Sequence, residues 1–238
     1  MVSTMKSCVR AGLSAAHRSY GKKARLVQLF AVAAGCVLAW SAAAQPAERP
    51  VKVVALGDSL TAGYQLQASE AFPAQLEKAL KAKGLKVEIA NAGVSGDTAS
   101  GGLARLDWSV PDGTDAVIVE LGANDMLRGI DPKVTRAALE QIVIRLKQRG
   151  IEVLLCGMLA ARNFGPDYAT TFDAIYPELA AAHGVVFYPF FLDGIAADAK
   201  LNQRDGIHPT AAGIEAIVTG ILPKVEELIA RVRAKRGS

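Results

Sequence analysis

After residue 50 the chain alternates short apolar runs of β character with segments of helical period, and no other feature restricts its fold as tightly. The runs are Val51–Leu56, Lys86–Ala92, Ala116–Leu121, Val153–Met158 and Val185–Tyr188. Most are almost unbroken in apolar residues, the pattern of strands covered on both faces. Between them, Phe72, Leu76, Ala79 and Leu80 share one helical face, and Gly84 closes that helix. Asp131-Pro132 is an N-cap followed by proline at the first helical position, opening a helix that runs to Gly150. A third helical pattern, from about Asp167 to His183, carries Pro177 and should bend or break there. The last begins near Thr210 and presents Ile214, Ile217, Ile221, Val225 and Leu228. The alternation predicts one α/β domain, a three-layer α/β/α sandwich with about five parallel strands. No internal repeat interrupts it, and no linker rich in Pro, Gly or Ser follows Pro50.

The first 44 residues read differently. Lys6, Arg10, Arg18, Lys22, Lys23 and Arg25 precede the first acid, Glu48. An apolar run from Leu26 to Trp40 follows, then Ser41-Ala42-Ala43-Ala44. A basic segment, a short apolar core and a small-residue site predict a secretory signal peptide cleaved near Ala44, leaving residues 45–238 as one periplasmic or secreted domain. The apolar run falls short of the ~20 residues a membrane span needs, so no stable span is expected after cleavage. The basic segment is long for a leader, which makes Met5 an alternative start. Acylation of Cys36 competes poorly, because Val37-Leu38-Ala39-Trp40 continues the apolar run.

Cleavage changes the charge. The balance of 27 Lys and Arg against 23 Asp and Glu becomes 21 against 23, turning a net +4 into −2. The basic excess therefore belonged to the leader, and no nucleic-acid footprint remains. Cys8 and Cys36 leave with it, so Cys156 stands alone and no intramolecular disulfide can form.

In parallel α/β sheets, sites gather at the carboxyl ends of strands, around the crevice where strand order reverses. Three unusual loops fall there: Gly57-Asp58-Ser59-Leu60-Thr61-Ala62-Gly63-Tyr64, Asn91-Ala92-Gly93-Val94-Ser95-Gly96-Asp97-Thr98, and Gly122-Ala123-Asn124-Asp125. A fourth, Asp205-Gly206-Ile207-His208-Pro209, precedes the final helix. A serine, a glycine that donates through its backbone, an asparagine amide and an Asp-x-x-His pair are the parts that acyl transfer needs. No zinc-like His/Cys spacing and no G-x-x-x-x-G-K-[ST] or G-x-G-x-x-G loop is present, so neither a metal nor another cofactor is expected. The G-x-S-x-G elbow is also missing, which argues against the α/β-hydrolase fold.

These four motifs, in this order, closely resemble the GDSL or SGNH hydrolase family over nearly the whole chain after Val51. Within it the chain is similar to periplasmic esterases that double as acyl-CoA thioesterase and lysophospholipase. The resemblance implies a flavodoxin-like sandwich and a serine esterase acting on small-molecule or lipid esters and on acyl thioesters. It implies Ser59 as nucleophile, His208 as base and Asp205 as its orienter. The oxyanion would be received by the backbone N–H groups of Ser59 and Gly96 and by the Asn124 amide. Ala123 stands where close relatives often have a second glycine, a change of one methyl. The family's mobile segment over the site corresponds to Leu159–Tyr168, which is less alike. Two other readings stay open: an acetyl-specific carbohydrate or peptidoglycan deacetylase, and a non-catalytic lipid- or glycan-binding module. Acyl length, leaving group and oligomeric state are not encoded in these motifs.

Structural roles are expected for the remaining polar residues. Asp58 and Asp125 should bond loop N–H groups, Asp97-Thr98 should start a helix, and His183 suits a helix C-terminus. Cys156 reads as a buried hydrophobe. Asn91 and Thr61 fit either role. Tyr64, Met126 and Leu127 fit an acyl pocket or ordinary packing.

Overall fold

All five apolar runs become strands: β1 (Val51–Gly57), β2 (Val87–Gly93), β3 (Ala116–Glu120), β4 (Glu152–Cys156) and β5 (Val186–Tyr188). They form one parallel sheet in the order β2-β1-β3-β4-β5. The computed structural model describes residues 49–237; the expected signal peptide and its cleavage point lie outside them. Nine helices among the described residues connect the strands: α1 (Ser59–Ala62), α2 (Phe72–Ala82), α3 (Ala99–Ala104), α4 (Leu106–Ser109), α5 (Ala123–Leu127), α6 (Pro132–Gln148), α7 (Pro166–Asp173), α8 (Ile175–His183) and α9 (Ala211–Gly237). Helices α2 and α9 pack on each other against one face of the sheet, and α3, α6 and α8 cover the other. This is the expected three-layer α/β/α sandwich, with the flavodoxin-like strand order.

The core explains the apolar runs. Every residue of β3 is buried, as are all but one of β1 and β4. β2 departs from that pattern because it is an edge strand, with Glu88, Ala90 and Asn91 exposed. Its open side is blunted where the Ile89 N–H donates to Glu77 Oε2 of α2 at 2.6 Å.

Local signals hold with two adjustments. Asp131 caps α6 by accepting the Lys133 N–H, with Pro132 at the first position. The break expected at Pro177 falls at Ala174, between α7 and α8. Proline has no N–H to give the Asp173 carbonyl, so the ladder fails one turn earlier and Pro177 sits in the first turn of α8, where no donor is needed. Pro223, in contrast, lies inside α9 without ending it. Burial of Ile214, Ile217, Ile221, Val225 and Leu228 outweighs the ~3 kcal/mol that an interior proline costs.

The two ends of the domain meet below the sheet. Arg49 makes a two-pronged pair with Asp115 at 2.8 and 2.9 Å. Arg236, near the end of α9, donates to the same carboxylate at 2.5 Å and to the Arg49 and Pro50 carbonyls at 3.2 Å.

At the opposite end, β1 leads to β2 on one side and neighbours β3 on the other, opening the crevice where the order reverses. Gly93, the last residue of β2, lies directly against α1. A Cβ there would sit 2.3 Å from the Ala62 nitrogen and 2.8 Å from the Asp58 carbonyl oxygen. Gly93→Ala is therefore expected to cost about 1–3 kcal/mol by overpacking rigid backbone. Urea unfolding of the variant checks this, and an unchanged midpoint would show that α1 moves aside freely.

Candidate active site

Ser59 opens α1 directly after β1. A four-residue helix cannot stand alone, and its neighbours hold it at both ends. Asp58 caps it, Oδ1 accepting the Leu60 N–H at 2.9 Å. Gly63 closes it in the left-handed conformation, φ +80°, and a Cβ there would strike Ala71. The Ser59 N–H lies at the first helical position, which has no acceptor within the helix.

His208 approaches from the loop before α9. Asp205 Oδ1 accepts the Ile207 and His208 N–H groups at 2.9 and 3.0 Å, folding Asp-x-x-His into a tight turn. Asp205 Oδ2 then meets His208 Nδ1 at 2.7 Å, and His208 Nε2 meets Ser59 Oγ at 2.9 Å. The two N–H donors, with the imidazole, hold the Asp205 carboxyl down to about 2. The Tyr64 ring lies against the imidazole, centroids 4.4 Å apart and tilted by 37°. Gln203 Nε2 bridges the loops by donating to the Tyr64 carbonyl at 2.8 Å and the Pro209 carbonyl at 3.0 Å.

Asn124 is the second residue of α5, entered through Gly122 at φ +116°. No side chain fits there, because a Cβ would fall 2.0 Å from the Tyr176 hydroxyl, which donates to the Leu121 carbonyl. Asn124 Nδ2 donates to Asp58 Oδ2 at 2.9 Å. Burial pushes the Asp58 carboxyl up to about 6, against the pull of the Leu60 and Asn124 donors. Beneath it lies Glu120, the last residue of β3, fully buried with Oε2 accepting the Thr61 hydroxyl at 2.8 Å.

Gly96 occupies the adjoining loop at φ +85°, its carbonyl accepting Arg128 at 2.7 Å. The loop is fixed from below by Arg105, which is almost wholly buried. Its guanidinium donates to Asp97 Oδ2 at 2.5 Å, the Ala92 carbonyl at 2.8 Å, the Gly57 carbonyl at 2.8 Å and Ser109 Oγ at 3.0 Å.

Beside Ser59 and His208 opens a cavity of about 430 Å³, walled by Leu60, Met126, Leu127, Met158, Phe190, Leu192 and Ile207. The segment 159–168 contributes Leu159, Ala160, Ala161 and Arg162 to that wall. Ser59, Asn124 and His208 share the cavity; Asp205 supports His208 from behind, and Gly96 is not among the lining residues.

The other sequence expectations resolve individually. Met126 and Leu127 line the cavity, whereas Tyr64 stacks on His208 instead. Asp125 accepts the Ala99 N–H and the Thr135 hydroxyl, and Thr98 caps α3. His183 ends α8 with its ring 3.3 Å from Glu140. Cys156 is buried, which pushes its thiol up. Asn91 is structural, accepting the Gly93 N–H. Sequence reasoning missed Arg105 and Glu120. Their only signals were a charge beside Leu103 and Leu106 and an acid closing an otherwise apolar strand. No group of three potential metal ligands, and no helix long and apolar enough to cross a membrane, occurs among the described residues.

A reversing parallel sheet with a serine, imidazole and carboxylate hydrogen-bonded in series at its carboxyl edge defines the class of serine ester hydrolases. The family model of the GDSL-like lipase/acylhydrolase family matches residues 55–216, and the chain belongs to that family. An arylesterase of Vibrio mimicus is 40% identical over 170 residues, covering 71% of this chain and 84% of the relative. A protein of Escherichia coli named thioesterase 1/protease 1/lysophospholipase L1 is 38% identical over 175 residues, covering 73% and 83%. The crystal structure of TesA superposes with a TM-score of 0.71 at 34% identity, covering 74% of this chain and 99% of that one.

Arg105→Leu is expected to destabilise the domain by about 3–5 kcal/mol, since it strands the Asp97 charge and takes a donor from the Ala92 carbonyl and from the Gly57 carbonyl, which keeps only the Val94 N–H. Arg105→Lys should recover only part of this, because a point charge cannot reach the four acceptors of a planar fork. Thermal and urea unfolding of both variants measure it. Wild-type stability in the leucine variant would show that the guanidinium is dispensable.

Proposed function

We propose that this chain hydrolyses carboxylic esters with medium or long acyl chains, and acyl thioesters, through an acyl intermediate on Ser59. The observation that carries this reading is the unbroken Ser59–His208–Asp205 chain opening on an apolar cavity of about 430 Å³. A space of that size suits a whole small ligand and far exceeds an acetyl group. The names of the relatives, arylesterase and thioesterase/lysophospholipase, support aryl esters, thioesters and lysophospholipids as substrates.

In this mechanism Ser59 Oγ attacks the carbonyl carbon while His208 Nε2 takes its proton. Asp205 holds Nδ1–H and balances the imidazolium. The oxyanion is received by the Ser59 and Gly96 N–H groups and by the second N–H of the Asn124 amide, whose first is engaged by Asp58. His208 then protonates the leaving alcohol or thiol, and water releases the acyl group by the same steps. No cofactor takes part. Residues 45–238 are the mature periplasmic or secreted domain, made by cleavage near Ala44 of a leader spanning residues 1–44.

The test is a series from acetyl to palmitoyl nitrophenyl esters and acyl-CoAs, run on exported protein whose first residue is read by mass spectrometry. Turnover of medium and long chains, abolished in Ser59→Ala, and a chain starting at Gln45 are expected. Hydrolysis confined to acetyl esters would replace the reading with a deacetylase. Absence of turnover and of fluorophosphonate labelling at Ser59 would leave a binding module.

The pH profile follows from the same chain. Asp205, held down at about 2 by its donors, stays ionised through the acid range. Activity lost on acidification therefore reports groups other than Asp205: His208, which must be neutral to accept the serine proton, and Asp58, whose carboxyl burial pushes up to about 6. kcat/KM should fall as the pH drops; a flat profile from about pH 8 to about pH 4 would exclude a histidine base.

A further inference from the structure

Two carboxyls lie buried beneath the nucleophile, and among the described residues no lysine or arginine forms an ion pair with either. Asp58 is fully buried and receives two donors, the Leu60 N–H on Oδ1 and the Asn124 amide on Oδ2. Glu120 is equally buried and holds the Thr61 hydroxyl on Oε2, while Oε1 has no donor. Glu120 pairs with Gly57 across β3 and β1, which sets the next residue, Asp58, beside it, and the two carboxyls act on each other's ionisation. Two uncompensated negative charges so close and so dry cannot coexist, so the pair must hold a proton. The carboxylate with a donor on each oxygen keeps the charge; the oxygen without a donor is where the proton belongs.

We propose that Glu120 is an un-ionised carboxyl whose Oε1–H donates to Asp58, and that this proton makes Glu120 a positioning residue for the oxyanion hole. The inference rests on Asn124 being an oxyanion donor. An ionised Asp58 can only accept, so it draws Asn124 Nδ2 towards itself and leaves the second amide N–H for the oxyanion. A proton on Asp58 would reverse this. Its O–H would donate to the amide oxygen, and Asn124 would turn its nitrogen out of place. Glu120 thus acts three hydrogen bonds away from the oxyanion, through Asp58 and then Asn124. Burial is the main force keeping the Glu120 carboxyl far above its ordinary range, and the Asp58 charge adds to it.

Three variants and one spectrum test this. Infrared spectra of the wild type at neutral pH should contain the band of an un-ionised carboxyl, and Glu120→Gln should lack it. Glu120→Gln keeps a neutral donor towards Asp58 and an acceptor for Thr61, so kcat should stay within about threefold of wild type. Glu120→Met removes the donor at similar volume, and kcat should fall about 10–100-fold with KM little changed, since only an interaction of the transition state is weakened. Asp58→Asn should lose kcat similarly. Absence of the infrared band, or a glutamine variant that folds but is as impaired as the methionine one, would overturn the proposal. Should Glu120→Met fail to fold, the band and the glutamine kinetics still decide. Fluorophosphonate labelling of Ser59 separates the two levels: without labelling the esterase reading itself falls, whereas labelling with wild-type kcat in Glu120→Met removes only this inference.

Discussion

The site depends on one buried guanidinium. Arg105 lies where β1 and β2 end, and it adds donors to carbonyls there, that of Gly57 also accepting the Val94 N–H. Its fork takes the last carbonyl of β1, at Gly57, and that of Ala92 in β2, and pairs with Asp97 in the loop that carries Gly96. Burying an arginine is costly unless its donors are matched, and here Nε and both terminal nitrogens find acceptors. The result is a common anchor for the strand that precedes Ser59 and the loop that supplies Gly96. Lysine has the charge but not the planar reach, which makes arginine the residue that can fill this position.

Around that anchor the chemistry is a matter of short segments held rigidly by their neighbours. The nucleophile's helix is a single turn, kept in place by the Asp58 cap, the left-handed Gly63 and the close approach of Gly93. The imidazole is oriented by a turn that spends one Asp205 oxygen on two backbone N–H groups and the other on the ring. Geometry fixed before substrate arrives is what lets hydrogen bonds stabilise a transition state without reorganising.

Much of this was legible in the sequence. Apolar runs gave the strands because both faces are covered, and the Asp-x-x-His spacing prefigured the turn that joins carboxylate to imidazole. Three motif loops were expected at the carboxyl ends of strands and a fourth before the final helix, and the structure brings Ser59, Asn124 and His208 to one cavity. What escaped notice depends on contacts between distant segments. Arg105 resembles any charge on a helix until the ends of β1 and β2 are seen above it. Glu120 sits inside an apolar run whose burial was anticipated, but its pairing with Asp58 joins residues 62 positions apart. Tyr64 was considered for the cavity wall and stacks on His208 instead, because Gln203 draws their two loops together. The early break at Ala174 follows from a missing donor at Pro177, an effect felt one turn upstream.

The clasp of Arg49 and Arg236 on Asp115 has a consequence for how the domain can be held. β1 runs away from that clasp for seven residues before it reaches the catalytic edge, a distance of about 20 Å at the usual rise of a strand. The first described residue and the last helix are therefore pinned together at the end of β1 opposite the catalytic loops. Fraying from either of these two segments must first break ion pairs on the one Asp115 carboxylate, so the catalytic loops are spared the first loosening of the domain.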